Sequence, residues 1–215
     1  TWEITDDRNY VITTHEKNVA DGKTLNIDAS KLVTKKLTFT GSNENDGKFN
    51  ITTAGNKAHA ITLGNSDDTY TSTSTGADVV TATAGSNTIQ TGDGADVVVG
   101  GTGADTIKTQ TGDDTIKFDT SNFTSTDVID GGPGTDTIQL ETNGSTVIDD
   151  DFTNVTNVET LTSKLDSALT ATLGAKAAAA GITTFAFNDD TLAETLTVGS
   201  GFSSDLTVKI EADTT

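Results

Sequence analysis

Between Thr73 and Lys117 a branched aliphatic recurs every nine residues, at Val80, Ile89, Val98, Ile107 and Ile116. Four residues before each stands a glycine: Gly76, Gly85, Gly94, Gly103 and Gly112. Two residues before each stands an acid or its amide: Asp78, Asn87, Asp96, Asp105 and Asp114. The pattern predicts a turn followed by a very short strand in every unit. Glycine admits the positive φ of a tight reversal. Neighbours such as Thr88, Thr106 and Thr115 face away from the aliphatic, because side chains alternate along a strand. One inward aliphatic per unit cannot form a core alone, so the units must stack. Two units then make one coil of about eighteen residues.

The register breaks after Lys117. Phe118–Ser121 reads as a four-residue insertion, after which Asn122–Asp130 carries Asp127 and Ile129. Gly131–Gln139 closes the series with Asp136 and Ile138, while Ser125 takes the place of a turn glycine. Upstream, Ser66–Tyr70 resembles Gly112–Ile116 one residue out of phase and reads as a degenerate first unit. The repeat region therefore spans about residues 64–140.

The flanks carry other periods. Within residues 1–63, Trp2–Thr5, Tyr10–Thr14, Thr24–Asp28, Lys36–Gly41, Phe49–Thr52 and Ala60–Leu63 read as strands, with Thr24–Asp28 and Lys36–Gly41 alternating apolar with polar. Their even spacing predicts rungs that lead into the repeat and cover its open end, which would otherwise expose unpaired strand edges. Within 141–215, Val147-Ile148, Val155, Val158 and Leu161 suggest further rungs. Ser163 with Asp166 reads as a capping box, and Leu165, Leu169 and Leu173 recur at four-residue spacing. These predict a helix near 164–180, continued by Ala177–Ala180 and ended by Gly181. Strands are expected at 183–187, 194–198 and 206–210.

Stacking places like charges above one another. Asp78, Asp96 and Asp114 fall on one edge, Asn87 and Asp105 on the other. Coils lie about 4.8 Å apart, and two carboxylates at about 5 Å repel by roughly 3 kcal/mol at an effective dielectric near 20. A cation between the turns removes that cost. Carboxylates and turn carbonyls, with no Cys in the chain, suit a hard ion with many oxygen ligands. That is calcium rather than zinc, with magnesium the weaker candidate.

The segments TGDGADVVV (91–99), GGTGADTIK (100–108) and GGPGTDTIQ (131–139) resemble the G-G-x-G-x-D-x-U-x nonapeptide of RTX proteins. The resemblance implies an all-β fold, a right-handed parallel β-roll binding several Ca²⁺ ions, here with β-rich flanks and one helix after it. It further implies that turn residues and the sixth-position acids hold the ions. The turn residues are Thr75, Gly76, Gly92, Asp93, Gly94, Gly101, Thr102, Gly103, Thr111, Gly112, Gly132 and Gly134. The acids are Asp78, Asp96, Asp105, Asp114, Asp127 and Asp136, with Asn87 a departure that weakens its site. On this reading Asp96, shared between two coil interfaces, is the most sensitive position.

Composition narrows the function. With 32 acids against 13 Lys plus Arg, the net charge of −19 excludes nucleic acid as a partner. No apolar run is long enough to span a membrane. His15-Glu16 opens like a zinc-protease helix, but Val19 stands where the second His must be. His59 is alone. The acid pairs Asp67-Asp68, Asp113-Asp114 and Asp189-Asp190 lack an aromatic cleft and would point to opposite faces of a strand. No nucleophile elbow, phosphate loop or dinucleotide fingerprint is present. The chain is therefore expected not to be an enzyme. The absence of an initiating Met, and the residues at the end, suggest a piece of something larger.

The segment Asn154–Leu161 resembles a phrase of RTX surface-layer proteins. With 45 threonines and neither Cys nor Met, the reading is a structural part of a calcium-dependent bacterial surface layer, outside the cell after type I secretion. Its partners would be copies of itself in a lattice, with cell-surface polysaccharide reached through parts outside this chain. The alternatives are a segment of a large RTX adhesin, or the non-catalytic roll of a secreted enzyme or toxin. An ice-binding face is disfavoured, since the outward ninth column reads Thr81, Gln90, Val99, Lys108 and Lys117. Val79, Val97 and Val99 should face outward and offer a contact surface.

Overall fold

A computed structural model describes residues 1–119, 121–142, 144–163, 168–187 and 194–210. Among the described residues every strand pairing is parallel, and as far as Leu140 successive strands alternate between two sheets. The first sheet has 8 strands, from Trp2–Glu3 through Thr24–Ala29, Lys48–Gly55, Thr69–Ser74, Thr88–Gln90, Thr106–Lys108 and Val128–Asp130 to Val155–Thr156. The second has 10, from Tyr10–Thr13 through Leu37–Thr40, Ala60–Thr62, Val79–Thr81, Val97–Val99, Thr115–Phe118, Thr137–Leu140, Thr160–Ser163 and Thr184–Phe187 to Thr207–Ile210. From Trp2 to Leu140 each coil thus contributes one strand to each sheet, which is the two-unit coil expected from the period.

Register explains why one aliphatic per unit suffices. Val80, Val98, Ile116, Ile138 and Leu161 lie opposite one another across the second sheet, and Tyr70, Ile89, Ile107 and Ile129 do so across the first. All are buried. Together they form a continuous apolar column that no single unit could supply. The flanking rungs join it without a break: Phe39, Ile61 and Phe185 continue the second column, and Ile27 and Ile51 the first.

The insertion after Lys117 lengthens one coil without moving the register. Carboxylate-to-amide contacts span 18 residues between Asp78 and Asp96, but 22 between Asp114 and Asp136. The extra chain adds apolar bulk. Phe118, Phe123 and Phe152 pack together with centroids 5.4 and 5.3 Å apart, the second pair edge to face.

The helix expected near 164–180 is shorter. Helix occupies Ala175–Ala180, ended by Gly181 at φ 110°, whereas Leu169–Leu173 is a strand. A four-residue spacing is compatible with both periods. Here Leu169, Ala171 and Leu173 turn inward while Thr170 and Thr172 turn outward. The strand belongs to a third sheet, Ser145–Val147, Leu169–Leu173 and Thr195–Val198. Asp149 caps the short helix, accepting from the backbone N–H groups of Gly174 and Ala177 at 2.7 and 2.9 Å. The capping-box residue Asp166, together with Leu165 and the Asp189-Asp190 pair, lies outside the described residues.

Candidate metal centre

The acids precede each strand by one residue, so the register stacks them along two edges of the coil. On the edge leading into the second sheet, each carboxylate accepts the backbone N–H of its counterpart one coil earlier. Asp78 Oδ1 takes His59 N–H (2.7 Å), Asp96 takes Asp78 (2.6 Å), Asp114 takes Asp96 (2.7 Å), and Asp136 takes Asp114 (2.9 Å). Glu159 extends the ladder by accepting from Asp136 N–H at 2.7 Å. On the edge leading into the first sheet, Asp68 accepts from Phe49, Asn87 from Asp68, Asp105 from Asn87 and Asp127 from Asp105, at 2.7–3.0 Å. The degenerate unit at Ser66–Tyr70 is therefore in register, and Asp68 belongs to the column.

One oxygen of each carboxylate is thus satisfied by backbone. The second oxygen separates the positions. Asp96, Asp105, Asp114 and Asp136 each keep a buried Oδ2 without a hydrogen-bond partner. Leaving such an acceptor unpaired costs about 1–3 kcal/mol, and more when it is charged. Hydroxyls beside two of them are committed elsewhere: Thr91 donates to the Thr109 carbonyl at 3.2 Å and Thr109 to the Gly131 carbonyl at 2.8 Å. Burial, the largest cause, pushes Asp96 and Asp136 up to about 7, and the neighbouring carboxylates add to it. Asp105 and Asp114 are raised for the same first reason.

Asp78 and Asp127 are placed in the columns but differ in their partners. Asp78 Oδ2 accepts the Tyr70 hydroxyl at 2.8 Å. Asp127 Oδ2 accepts the backbone N–H of Thr124 at 2.9 Å and its hydroxyl at 3.3 Å. Asn87 uses its amide group differently again, donating to the Ala84 and Gly85 carbonyls and to Asp105 Oδ1 at 3.0, 3.2 and 3.2 Å.

Turn glycines stack as closely as the acids. A Cβ at Gly112 would run into the carbonyl oxygen of Gly94, and one at Gly134 into that of Gly112. The second glycine column behaves likewise, with Gly92, Gly101 and Gly132 set against the carbonyls of Ser74, Thr83 and Gln110. Turn carbonyls are thus packed coil upon coil beside the acids. Asp93, by contrast, has an exposed side chain at the tip of its turn, as do Thr75, Thr102 and Thr111.

Orphaned carboxylate oxygens next to stacked carbonyls form an all-oxygen, acceptor-only environment, which fits a hard divalent cation. Residues 72–107, 99–117 and 124–140 match the family model of the RTX calcium-binding nonapeptide repeat, in four copies. These coils are an RTX-type calcium-binding β-roll. The RTX roll binds calcium at multiple sites, and the four acids with an unpaired oxygen are its chemically unsatisfied positions. No curated protein and no solved structure matches the chain significantly. Among the described residues no helix is long and apolar enough to cross a membrane.

Three participants escaped the sequence reading. Glu159 carries the ladder beyond the roll, and the likeness of Glu-Thr-Leu-Thr (159–162) to Asp-Thr-Ile-Gln (136–139) was its signal. Tyr70 and Thr124 act as donors from outside the acid columns, and the nonapeptide pattern holds no signal for them. His59 stands in the column at the upstream end. Its Nδ1 accepts Leu37 N–H at 3.0 Å, which leaves Nε2 protonated toward the Ala54 carbonyl at 3.1 Å. His59 is thereby committed to structure.

Proposed function

We propose that the chain is a non-catalytic structural part of a secreted, calcium-dependent bacterial surface layer. Calcium folds the roll after export. The observation that carries this reading is the set of buried, unpaired oxygens on Asp96, Asp105, Asp114 and Asp136. Without calcium these carboxylates oppose stacking. In a calcium-poor cytosol the roll stays open for a type I secretion channel, and outside the cell millimolar calcium closes it. Sites of about 10⁻⁴–10⁻³ M affinity suffice there, and because the ion binds the folded form, binding stabilises it.

Assembly into a lattice draws support from the outer face of the second sheet. Its first outward column runs Val11, Thr38, Ala60, Val79, Val97 and Thr115, and continues as threonine to Thr207. No charged residue interrupts it over ten rungs, in a chain of net charge −19. An uncharged column suits side-by-side contact between copies, and Val79 is 45 % exposed there. A second reading, a segment of an RTX adhesin, is favoured by the continuity of the ten-stranded sheet, which makes the chain one rod.

Electron microscopy of the full-length parent with added calcium separates the two readings. Ordered sheets support the surface layer and dispersed rods the adhesin. Circular dichroism in EGTA and then calcium tests the fold switch, and an unchanged spectrum contradicts it.

A further inference from the structure

We propose that Asn87 is a built-in substitute for a calcium ion, and that with Thr124 it confines calcium loading chiefly to the edge bearing Asp96, Asp114 and Asp136. The proposal rests on the calcium-dependent reading above and names which positions that reading applies to.

Asn87 occupies the acid position of its unit and is buried. Its two ends are assigned unambiguously by their partners. The side-chain oxygen accepts Asp68 N–H at 2.9 Å, as the aspartates do in their columns. The other end faces acceptors only: the Ala84 and Gly85 carbonyls and Asp105 Oδ1. Two turn carbonyls and the carboxylate of the next coil are a cation's ligand set, and the NH₂ group meets all three. An amide carries two protons and no net charge, so it satisfies these acceptors without drawing in an ion.

The same edge is closed downstream by other means. Thr124 gives Asp127 Oδ2 both its backbone N–H and its hydroxyl. Asp68 Oδ2 accepts Gly64 N–H at 2.8 Å. Only Asp105 keeps an unpaired oxygen on this side. On the opposite edge Asp96, Asp114 and Asp136 are consecutive and all unpaired, and the series ends upstream where the Tyr70 hydroxyl meets Asp78. Residues up to about Gln90 therefore form rungs whose buried acids are satisfied from within the chain. They can serve as a metal-independent template onto which the calcium-dependent coils stack.

Asn87→Asp tests the assignment. The variant replaces two donated protons with a carboxylate facing two carbonyls and Asp105. Native mass spectrometry in calcium should show one more bound ion than in the parent chain, and the metal-free variant should need more calcium to fold. An unchanged ion count overturns the proposal, provided the parent chain itself binds calcium. Failure of the parent to bind any calcium would instead sink the calcium-dependent reading beneath it.

Asn87→Ala guards against a folding defect. It should leave the ion count unchanged while weakening the metal-free upstream rungs, read as faster hydrogen exchange at residues 88–90 in EGTA. A lower ion count in Asn87→Ala would make Asn87 a ligand and overturn the proposal.

Discussion

The two edges of the roll are built from the same nine-residue unit, yet they handle the second carboxylate oxygen in opposite ways. On one, Asp96, Asp114 and Asp136 leave it buried and unpaired. On the other, Asn87 has exchanged it for an amide, and Thr124 fills that of Asp127. An aspartate in the sixth position therefore does not by itself create a demand for metal. The demand depends on whether a donor from elsewhere in the fold reaches the free oxygen.

The largest effect is expected where both edges share a constraint. Gly112 sits at φ 149° with the Gly94 carbonyl where a side chain would go. Gly112→Ala should cost about 3 kcal/mol in calcium-saturated protein, measured by thermal or denaturant unfolding. A near-neutral result would mean that the coils can separate locally, and the close stacking of carbonyls would lose its meaning.

Next comes a direct contrast between the edges. Asp114 has unpaired neighbours on both sides, Asp96 and Asp136, and replaces Asp96 as the position expected to be most sensitive. Asp114→Asn should cost at least one bound calcium ion, counted by native mass spectrometry, because the amide replaces an unpaired carboxylate oxygen. Asp127→Asn should leave the ion count unchanged, because Thr124 already serves that oxygen. Equal ion counts in the two variants would erase the distinction.

The smallest effect is a pH dependence, largest at Asp96 and Asp136, although burial also raises Asp68, to about 6, on the other edge. In the metal-free fold Asp96 and Asp136 are raised from 3.8 to about 7, chiefly by burial. The folded form then holds more protons than the unfolded chain between those values, so metal-free stability falls as pH rises from about 4 to about 7. Calcium must displace the same protons, so calcium affinity should rise across this range. Chelated protein should therefore gain roll structure on acidification toward pH 4–5, read by circular dichroism. The absence of any acid-induced structure would argue that these carboxylates are not desolvated.

Much of this architecture was readable from periodicity. Because every coil repeats the same contacts, the apolar column, the acid columns and the silent insertion at 118–121 follow from counting residues. Asp68 was legible in the same way, as an imperfect unit one residue out of phase. The failures lie where information is not periodic. Leu169–Leu173 satisfies helical and strand spacing equally, and only the alternating threonines favoured the strand that forms. The third sheet follows from that strand. Tyr70 stands where neighbouring units carry an isoleucine and donates across the coil, and Thr124 donates within its own turn to Asp127, so in both cases one residue's chemistry, not its column, supplies the proton. Asn87 was legible as a departure, but its meaning depended on which atoms its amide meets.

The most direct test is a crystal structure of the chain grown in calcium, with anomalous difference density locating the ions. The account predicts ions along the edge of Asp96, Asp114 and Asp136, at most one beside Asp105, and none between the turn carbonyls of Ala84 and Gly85 and the Asn87 side chain. Ions distributed evenly along both edges, including one at Asn87, would contradict it.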